Sequence, residues 1–401
     1  MKNMNPKYIM ELHEEYRKRC LNLQASENYL SYRVRRALSS DMASRYSMVF
    51  DAEVHGVYVH NVYGGAYYQE EIVKIAENLA KEVFGFKYVN VKPISGHVAA
   101  MAALLSSTSR GDKIMAISPQ DGGYDGYSSN YLPEMFGLKY VPLPIKDLRV
   151  VDVDSIKREK PELVILGASY ILFPYNLDEV LEICEEIGAR IIYDASHVMG
   201  LLPSGFQEHI EKCDLVYGST HKSFPGPQGG IILSNNEEMM KRVERNLTWR
   251  VQDNYHTHRV ASLAMSLDEF KPVAKLYGKR VAENSHRLAL NLHEEGLEIK
   301  YPPEFSKSHQ ILVDEKKLKE NFGLTPPEMS EILERNNIIV DRVGRIGTAE
   351  LTWKGYREND MERIAEVIFL ARKGKDVKGD VEQIVSLWNG KTLGEIQRAR
   401  T

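Results

Sequence analysis

The residue with the clearest chemical potential is Lys222, in the segment Gly218-Ser219-Thr220-His221-Lys222-Ser223-Phe224-Pro225-Gly226-Pro227-Gln228-Gly229-Gly230. This segment follows the strand-like run Asp214–Tyr217 and turns through glycines and prolines. A lysine held among small and hydroxylated residues is partly desolvated, which lowers its pKa and makes its amine a nucleophile. The alternative is an exposed loop lysine without a chemical role, which is the commoner situation for an isolated lysine.

Two further segments supply an acid and an anion site. Asp194 follows the strand-like run Arg190–Tyr193, and the active sites of open α/β sheets gather at the carboxyl ends of strands. A carboxylate there suits a buried cation, although an Asp that caps the next helix fits the same pattern. Ser95-Gly96 precedes a run of small residues with helical character, and free N–H groups at a helix start bind phosphate. Ordinary capping explains Ser95 equally well.

Together the three segments indicate a pyridoxal phosphate site. That cofactor needs a lysine for its Schiff base, a carboxylate that keeps its pyridine nitrogen protonated, and a cradle for its phosphate. Lys222, Asp194 and the Ser95-Gly96 helix start match these three needs.

The chain resembles the serine hydroxymethyltransferase family of fold-type I pyridoxal-phosphate enzymes over most of its length. Four segments carry the resemblance, in the family's order: Leu23-Gln24-Ala25-Ser26-Glu27-Asn28-Tyr29, Asp194-Ala195-Ser196-His197-Val198-Met199-Gly200-Leu201, Thr220-His221-Lys222 and Arg345-Ile346-Gly347-Thr348. The resemblance implies a transferase with the aspartate aminotransferase-like α/β fold. It would have a large domain around a mostly parallel seven-stranded sheet and a smaller α+β C-terminal domain.

The resemblance also implies roles for individual residues. Lys222 would form the Schiff base, Asp194 would pair with the pyridinium, and Arg345 would bind the substrate α-carboxylate as a bidentate ion pair. Tyr124 stands where the family has a histidine stacked on the ring, and a tyrosine can stack as well. The implied cofactor-binding set is Ser95, Gly96, Tyr124, Ser169, Asp194, His197, Thr220 and Lys222. The catalytic set is Lys222, Glu53, Tyr46, His197 and His221, and the substrate-binding set is Ser26, Tyr46, Tyr63 and Arg345.

Four departures from the family pattern bear on the substrate. Met48 occupies the place of the usual catalytic glutamate, and the segment from Ser47 to Val62 is longer than usual. Glu53, ahead of Asp51, is therefore expected to supply the missing carboxyl. The stretch 339–344 is short where the family often has a loop that contacts folate, and Gln228 replaces a usual arginine.

We expect cleavage of the Cα–Cβ bond of a β-hydroxy amino acid, with serine giving glycine and a reduced pterin of the folate or methanopterin type accepting the one-carbon unit. The alternative is a threonine aldolase or transaldolase that acts without a pterin. The segments 46–63 and 220–228 also look like that branch of the superfamily. A regulator or store that only binds the cofactor would have no need of Arg345.

Alternating strands and helices must position these residues. Short apolar, largely β-branched runs at 88–91, 113–117, 140–143, 163–166, 190–193, 215–217 and 230–233 alternate with helical patterns. This alternation predicts βαβ units and a mostly parallel sheet covered on both faces. A change in the sequence pattern near residue 280 suggests that the chain has three parts. These are an N-terminal arm and helix over 1–45, a large cofactor-binding α/β domain over 46–280, and a small α+β domain over 281–401.

The composition of the chain limits the kinds of molecule that it is expected to bind. The chain has 401 residues, 43% hydrophobic and 27% charged, with a formal net charge of −4. This balance argues against nucleic acid, and no apolar run reaches the roughly 18 residues that span a membrane. Three separated cysteines, Cys20, Cys184 and Cys213, predict neither disulfides nor a metal site, and they favour a cytoplasmic location. The expected partners are a small amino-acid substrate and a second copy, because Tyr46 and Tyr63 would approach the neighbouring subunit's site in a homodimer.

Overall fold

The central sheet consists of seven strands. The computed structural model describes residues 5–46 and 48–399, so Ser47, where the long predicted segment begins, lies outside the described residues. We number the strands of this sheet β1 to β7 in chain order: Tyr88–Asn90, Lys113–Ile117, Lys139–Leu143, Leu163–Leu166, Arg190–Asp194, Leu215–Ser219 and Gly230–Ser234. Each coincides with a predicted run to within two residues at either end.

The strands lie in the order β1-β7-β6-β5-β4-β2-β3. Strand β7 is antiparallel to both of its neighbours, and the other pairings in this sheet are parallel. Strand β4 is Leu-Val-Ile-Leu and is buried at every position, which is the pattern of a strand covered on both faces. The predicted α/β class with a mostly parallel seven-stranded sheet is therefore confirmed.

The sheet belongs to a compact unit formed by Asn28–Gly278, with Gln397–Ala399. Its core joins the strands to two helices, Gly96–Ser107 and Glu237–Leu247. Two short hairpins lie outside the sheet, Ala52–Val54 with Val57–Val59 and Ile145–Lys146 with Val150–Val151. The other α-helices are Tyr32–Leu38, Tyr67–Phe84, Leu132–Phe136, Val153–Glu159, Leu177–Ile187 and Thr257–Phe270.

The second compact unit contains Asn5–Glu27 and Lys279–Ile396. Strand Leu21–Asn22 pairs in parallel with Ile338–Ile339, and Gln310–Leu312 pairs antiparallel with Arg345–Gly347. The helices found here are Pro6–Lys18, Glu315–Phe322, Pro326–Glu334, Ala349–Trp353, Glu358–Arg372, Lys378–Ser386 and Leu393–Arg398, whose last two residues fall in the larger unit. Helix Ala274–Glu294 runs across the boundary between the two units in the chain. The division into parts at residues 45 and 280 stays a prediction.

No helix among the described residues is long and apolar enough to cross a membrane.

Candidate active site

A pocket lies at the carboxyl ends of β5 and β6, in the larger unit. Strand β5 ends at Asp194, and β6 ends at Ser219, three residues before Lys222. Six predicted site residues line this pocket: Gly96, Tyr124, Ser169, Asp194, His197 and Lys222. The remaining lining residues are His97, Ala100, Ala168, Ser196 and Ser219. The parallel sheet thus brings together residues that lie up to 126 positions apart in the chain.

The main chain at Lys222 is fixed by Asn28. Its side-chain nitrogen donates to the carbonyl oxygens of Lys222 at 2.9 Å and Ser223 at 3.1 Å. Tyr277 Oη donates to the same Ser223 oxygen at 2.6 Å. These bonds fix the main chain at Lys222, so its side-chain amine enters the pocket from a defined position.

The Lys222 amine is paired with an imidazole. Lys222 Nζ lies 3.2 Å from His197 Nε2. At this distance one nitrogen donates a hydrogen bond to the other, and the tautomer of His197 decides which is the donor. His197, 4% exposed, can therefore take a proton from the lysine or return it.

The carboxylate of Asp194 is buried and held by two donors. Ser196 N donates to Oδ1 at 2.9 Å, and Tyr127 Oη donates to Oδ2 at 2.7 Å. A carboxylate offers about four lone-pair sites, so two remain for a further donor in the pocket. Gly167 makes this arrangement possible, because a Cβ built there would lie 2.5 Å from Asp194 Cβ.

The helix start at Ser95 both caps the helix and packs closely on β6. Ser95 Oγ accepts a hydrogen bond from Val98 N at 3.1 Å, so the capping explanation of Ser95 is correct. A Cβ built on Gly96 would lie 2.2 Å from Ser219 Oγ. Only glycine allows this approach, which brings the positive end of the helix dipole to the pocket wall.

Tyr124 and Ser169 are brought together by a glycine turn. Ser169 N donates to the Gly122 carbonyl oxygen at 2.8 Å, two residues before Tyr124. Tyr124 Oη lies 2.9 Å from His97 Nδ1, and the two rings meet edge to face. Partial burial lowers the pKa of His97. The aromatic wall is therefore a tyrosine supported by a histidine.

Thr220 and His221 flank Lys222 but do not line the pocket. Thr220 Oγ1 donates to the Pro227 carbonyl oxygen at 2.6 Å, a bond that closes the loop. Burial, followed by the charge of Lys222, lowers the pKa of His221 to about 4. His221 is consequently a neutral ring under ordinary conditions.

Tyr46, Tyr63 and Glu53 lie away from the pocket lining of their own chain. The rings of Tyr46 and Tyr63 pack with centroids 4.5 Å apart, and Tyr46 Oη donates to Asp253 at 3.0 Å. Hydrogen bonds with Tyr63 and Asp253 raise the pKa of Tyr46 to about 12. Glu53 is exposed on the hairpin strand Ala52–Val54, opposite Tyr58.

Ser26 and Arg345 lie in the second compact unit, on neighbouring segments. Gly347 N donates to the Leu23 carbonyl oxygen at 2.7 Å, so the Ser26 segment runs beside the Arg345 strand. Arg345 Nε donates to Asp341 Oδ2 at 2.7 Å. This bond sets the direction of the guanidinium plane.

Several residues around the pocket were not predicted as site residues. His97, Ser196 and Ser219 lie within or beside the predicted motifs, so neighbourhood in sequence was a usable signal. Tyr127 and Tyr217 belong to no predicted motif, and each is fully buried beside Asp194.

The residues present fit pyridoxal phosphate. Asp194 is a buried carboxylate with acceptor capacity left for a protonated ring nitrogen, and Lys222 supplies a primary amine in the same pocket. Gly96, at the start of its helix, lines the same pocket and would offer backbone N–H groups to the phosphate, and Tyr124 supplies an aromatic face.

Comparison with known proteins yields one family and one fold. The family model described as serine hydroxymethyltransferase matches residues 2–368. The serine hydroxymethyltransferase of Methanobrevibacter smithii is 36% identical over 397 residues, covering 94% of this chain and 92% of that protein. That of Methanosphaera stadtmanae is 36% identical over 403 residues, with the same coverage. Among solved structures, an L-threonine transaldolase from Pseudomonas fluorescens matches at a TM-score of 0.82 and 24% identity, covering 96% of this chain and 91% of that one. At this identity the structural match shows the fold alone.

Proposed function

This chain belongs to the serine hydroxymethyltransferase family, and from that premise we propose that it converts serine to glycine and passes the one-carbon unit to a reduced pterin. The family implies an enzyme that depends on pyridoxal phosphate. The observation that carries the proposal is the single pocket that unites Lys222, Asp194 and the Gly96 helix start. When bound, the cofactor supplies a ring that withdraws electrons from the substrate Cα–Cβ bond.

Each side chain around that ring would have a separate role. With the cofactor bound, Asp194 would hold a proton at the ring nitrogen, and Lys222 would supply the amine that holds the cofactor. His197, 3.2 Å from Lys222 Nζ, would exchange a proton with that amine. Arg345, assisted by Ser26, would bind the substrate carboxylate and so orient the substrate.

Glu53 is the proposed acid–base group at the substrate hydroxyl. Asp51, the alternative, already accepts hydrogen bonds from Tyr58 Oη at 2.8 Å and Asn61 N at 3.0 Å. These bonds lower the pKa of Asp51, which makes it a poorer base. Glu53 is exposed and is thus the carboxylate of this hairpin with the greater freedom to meet a substrate.

A second candidate function follows from Met48. The family's usual glutamate is replaced by this buried thioether, 2% exposed, which cannot transfer protons. Cleavage of a threonine-like substrate releases glycine and a free aldehyde and transfers no one-carbon unit, so it needs no pterin. The alternative is therefore a threonine aldolase or transaldolase.

We also propose a cytoplasmic homodimer with shared sites. Tyr46 and Tyr63 form a pair outside the pocket lining, on a segment whose hairpin exposes Val57 and Tyr58. A second copy that covers this segment would bury apolar surface and bring the two tyrosines to the partner's pocket.

Glycine release decides between the two candidate functions. It is measured from serine and from threonine, each without a pterin, with tetrahydrofolate and with tetrahydromethanopterin. We expect serine turnover to require one of these pterins. If glycine is released quickly from threonine without a pterin, and pterins do not change its release from serine, the enzyme is an aldolase or transaldolase instead.

Glu53→Gln should lower turnover about 10²- to 10⁴-fold, and Asp51→Asn serves as the matched variant on the same hairpin.

The cofactor assignment has its own test. Borohydride treatment of the purified protein should fix the cofactor on Lys222, as read by peptide mapping. A reduced label on another lysine would contradict the assignment.

A further inference from the structure

Arg259 is a buried cation without a carboxylate partner among the described residues. It is 5% exposed on the helix Thr257–Phe270. Its Nη2 donates to three neutral carbonyl oxygens, of Val91 at 2.8 Å, Lys92 at 3.1 Å and Tyr255 at 3.2 Å. Its Nε and Nη1 have no hydrogen-bond partner in the described chain. Burial lowers the pKa of Arg259 to about 10, so the guanidinium is still charged at pH 7.

The unpartnered edge of this guanidinium faces the glycine pair that begins β7. A Cβ built on Gly229 would lie 2.6 Å from Arg259 Nη1. On the next residue, Gly230 N donates to the Pro93 carbonyl oxygen at 2.9 Å, and a Cβ built there would lie 2.4 Å from the Ser95 carbonyl oxygen. The Arg259 side chain therefore packs against the backbone of Gly229, next to Gly230, which contacts Ser95 at the start of the helix Gly96–Ser107.

The same guanidinium is bonded to one segment of the site and lies beside another. Val91 and Lys92, whose carbonyl oxygens it binds, begin the segment after β1 that leads into the Ser95-Gly96 turn. The Gly229 carbonyl oxygen accepts from Thr220 N at 3.1 Å, two residues before Lys222. The buried charge of Arg259 therefore lies next to two segments, the turn that leads into the helix Gly96–Ser107 and the loop that contains Lys222.

An uncompensated buried charge is costly, and proteins retain one where a ligand supplies the opposite charge. We infer that Arg259 is a positioning residue for the cofactor phosphate: it orders the Val91–Gly96 segment and supplies the positive charge that balances a phosphate at the helix start. The inference rests on the proposed pyridoxal phosphate site and goes beyond its predicted residues.

The test separates the phosphate from the rest of the cofactor. Affinities of the apoprotein for pyridoxal phosphate and for pyridoxal, which lacks the phosphate, are measured by absorbance titration at low salt. In Arg259→Gln, which keeps donors for the carbonyl oxygens but loses the charge, the ratio of the two affinities should fall about 10- to 100-fold. Pyridoxal affinity should change less than about twofold, and Arg259→Lys should keep most of the ratio because it keeps the charge.

Arg372→Gln is the matched control. Arg372 is also a buried arginine with unpartnered Nε and Nη1 atoms, but it lies on the helix Glu358–Arg372 in the other compact unit. In Arg372→Gln, the ratio of the pyridoxal phosphate affinity to the pyridoxal affinity should equal that of the wild type.

Three outcomes separate the inference from the proposed function. Equal losses of both affinities in Arg259→Gln would overturn the inference, since a purely structural role weakens both ligands alike. A Gln variant that cannot be obtained folded, even with pyridoxal phosphate present, would assign Arg259 to folding and overturn it too. A wild-type protein that binds neither ligand would instead refute the proposed function.

Discussion

Asp194 depends on tyrosines that lie far from it in the sequence. Tyr127 Oη donates to its Oδ2 and is itself hydrogen-bonded to Tyr217 Oη. Burial raises the pKa of both tyrosines well above 10, so both remain protonated. Such a chain of hydrogen bonds is cooperative, and it orients the carboxylate toward the pocket.

Removing the nearer hydroxyl should cost more than removing the farther one. Tyr127→Phe takes a hydrogen bond from a buried carboxylate, and the unfolding free energy of the apoprotein should fall by about 1.5–3 kcal/mol. Tyr217→Phe leaves that bond in place and should cost at most about 1 kcal/mol. Urea denaturation measures both. Negligible losses in both variants would mean that the tyrosines act only by packing, because phenylalanine keeps the ring.

Arg345 permits a test of substrate binding that spares the cofactor. Arg345→Ala should raise the KM for serine roughly 30- to several-thousand-fold, the cost of about 2–5 kcal/mol for losing one partner of a desolvated charge pair. Cofactor absorbance should be unchanged. Arg342→Ala, which removes an exposed arginine paired with Glu334 at 3.3 Å, serves as the control. An unchanged KM in Arg345→Ala would contradict the carboxylate role.

At the scale of elements, the sequence was most informative where strands are buried on both faces. The central strands stand out as apolar runs, and β4 is apolar and buried at every position, whereas β1 contains Asn90. The hairpin at 52–59 escaped prediction, since its two strands are short and largely exposed. The contact between Tyr127 and Tyr217 joins positions 90 residues apart. No local pattern encodes such a contact, so only the folded sheet reveals it.

The close contact between the helix start and β6 predicts the effect of a single methyl group. Gly96→Ala places a Cβ 2.2 Å from Ser219 Oγ and 3.2 Å from Ser219 N, so the hydroxyl must rotate and the helix start and β6 must separate slightly. We expect cofactor affinity to fall at least about tenfold, with about 1–3 kcal/mol lost from the unfolding free energy. Fluorescence titration and urea denaturation measure these effects.

Gly379→Ala is the control for that substitution. Gly379 lies on the helix Lys378–Ser386 with nothing within 4 Å of a built Cβ. Alanine there should preserve cofactor affinity and slightly stabilise the helix. Wild-type cofactor affinity in Gly96→Ala would show that the helix start takes no part in the site.

At the scale of the whole molecule, one partly buried carboxyl, that of Glu77, should shape the dependence of stability on pH. Burial, only partly offset by Lys92, raises the pKa of Glu77 to about 7, from its ordinary value of 4.5. Between these values the folded chain binds more protons than the unfolded chain, so this group's contribution to stability falls as pH rises. Above pH 7 the accumulated cost reaches about 3 kcal/mol.

Glu77→Gln should remove that cost. The variant should gain up to about 3 kcal/mol at pH 8 and nothing at pH 4, where Glu77 is protonated in both states. Glu71→Gln, on the same helix, removes an exposed pair with Lys74 and should change stability by less than about 1 kcal/mol. Urea midpoints at the two pH values provide the measurement, and equal gains at both would refute the linkage.

Whether a complete active site needs two chains can be tested by mixing inactive subunits. In an isologous dimer the same surface of each subunit serves both sites, so Tyr63 of one chain would complete the pocket that holds Lys222 of the other. Lys222→Ala and Tyr63→Phe should each be inactive alone. In a mixed dimer, one pocket combines both defects, while the other combines an intact Lys222 with an intact Tyr63. Random exchange places half of the subunits in mixed dimers, so about a quarter of the wild-type activity should return. Exchange is verified with differently tagged subunits, and exchanged but inactive mixtures would mean that each site is built from one chain.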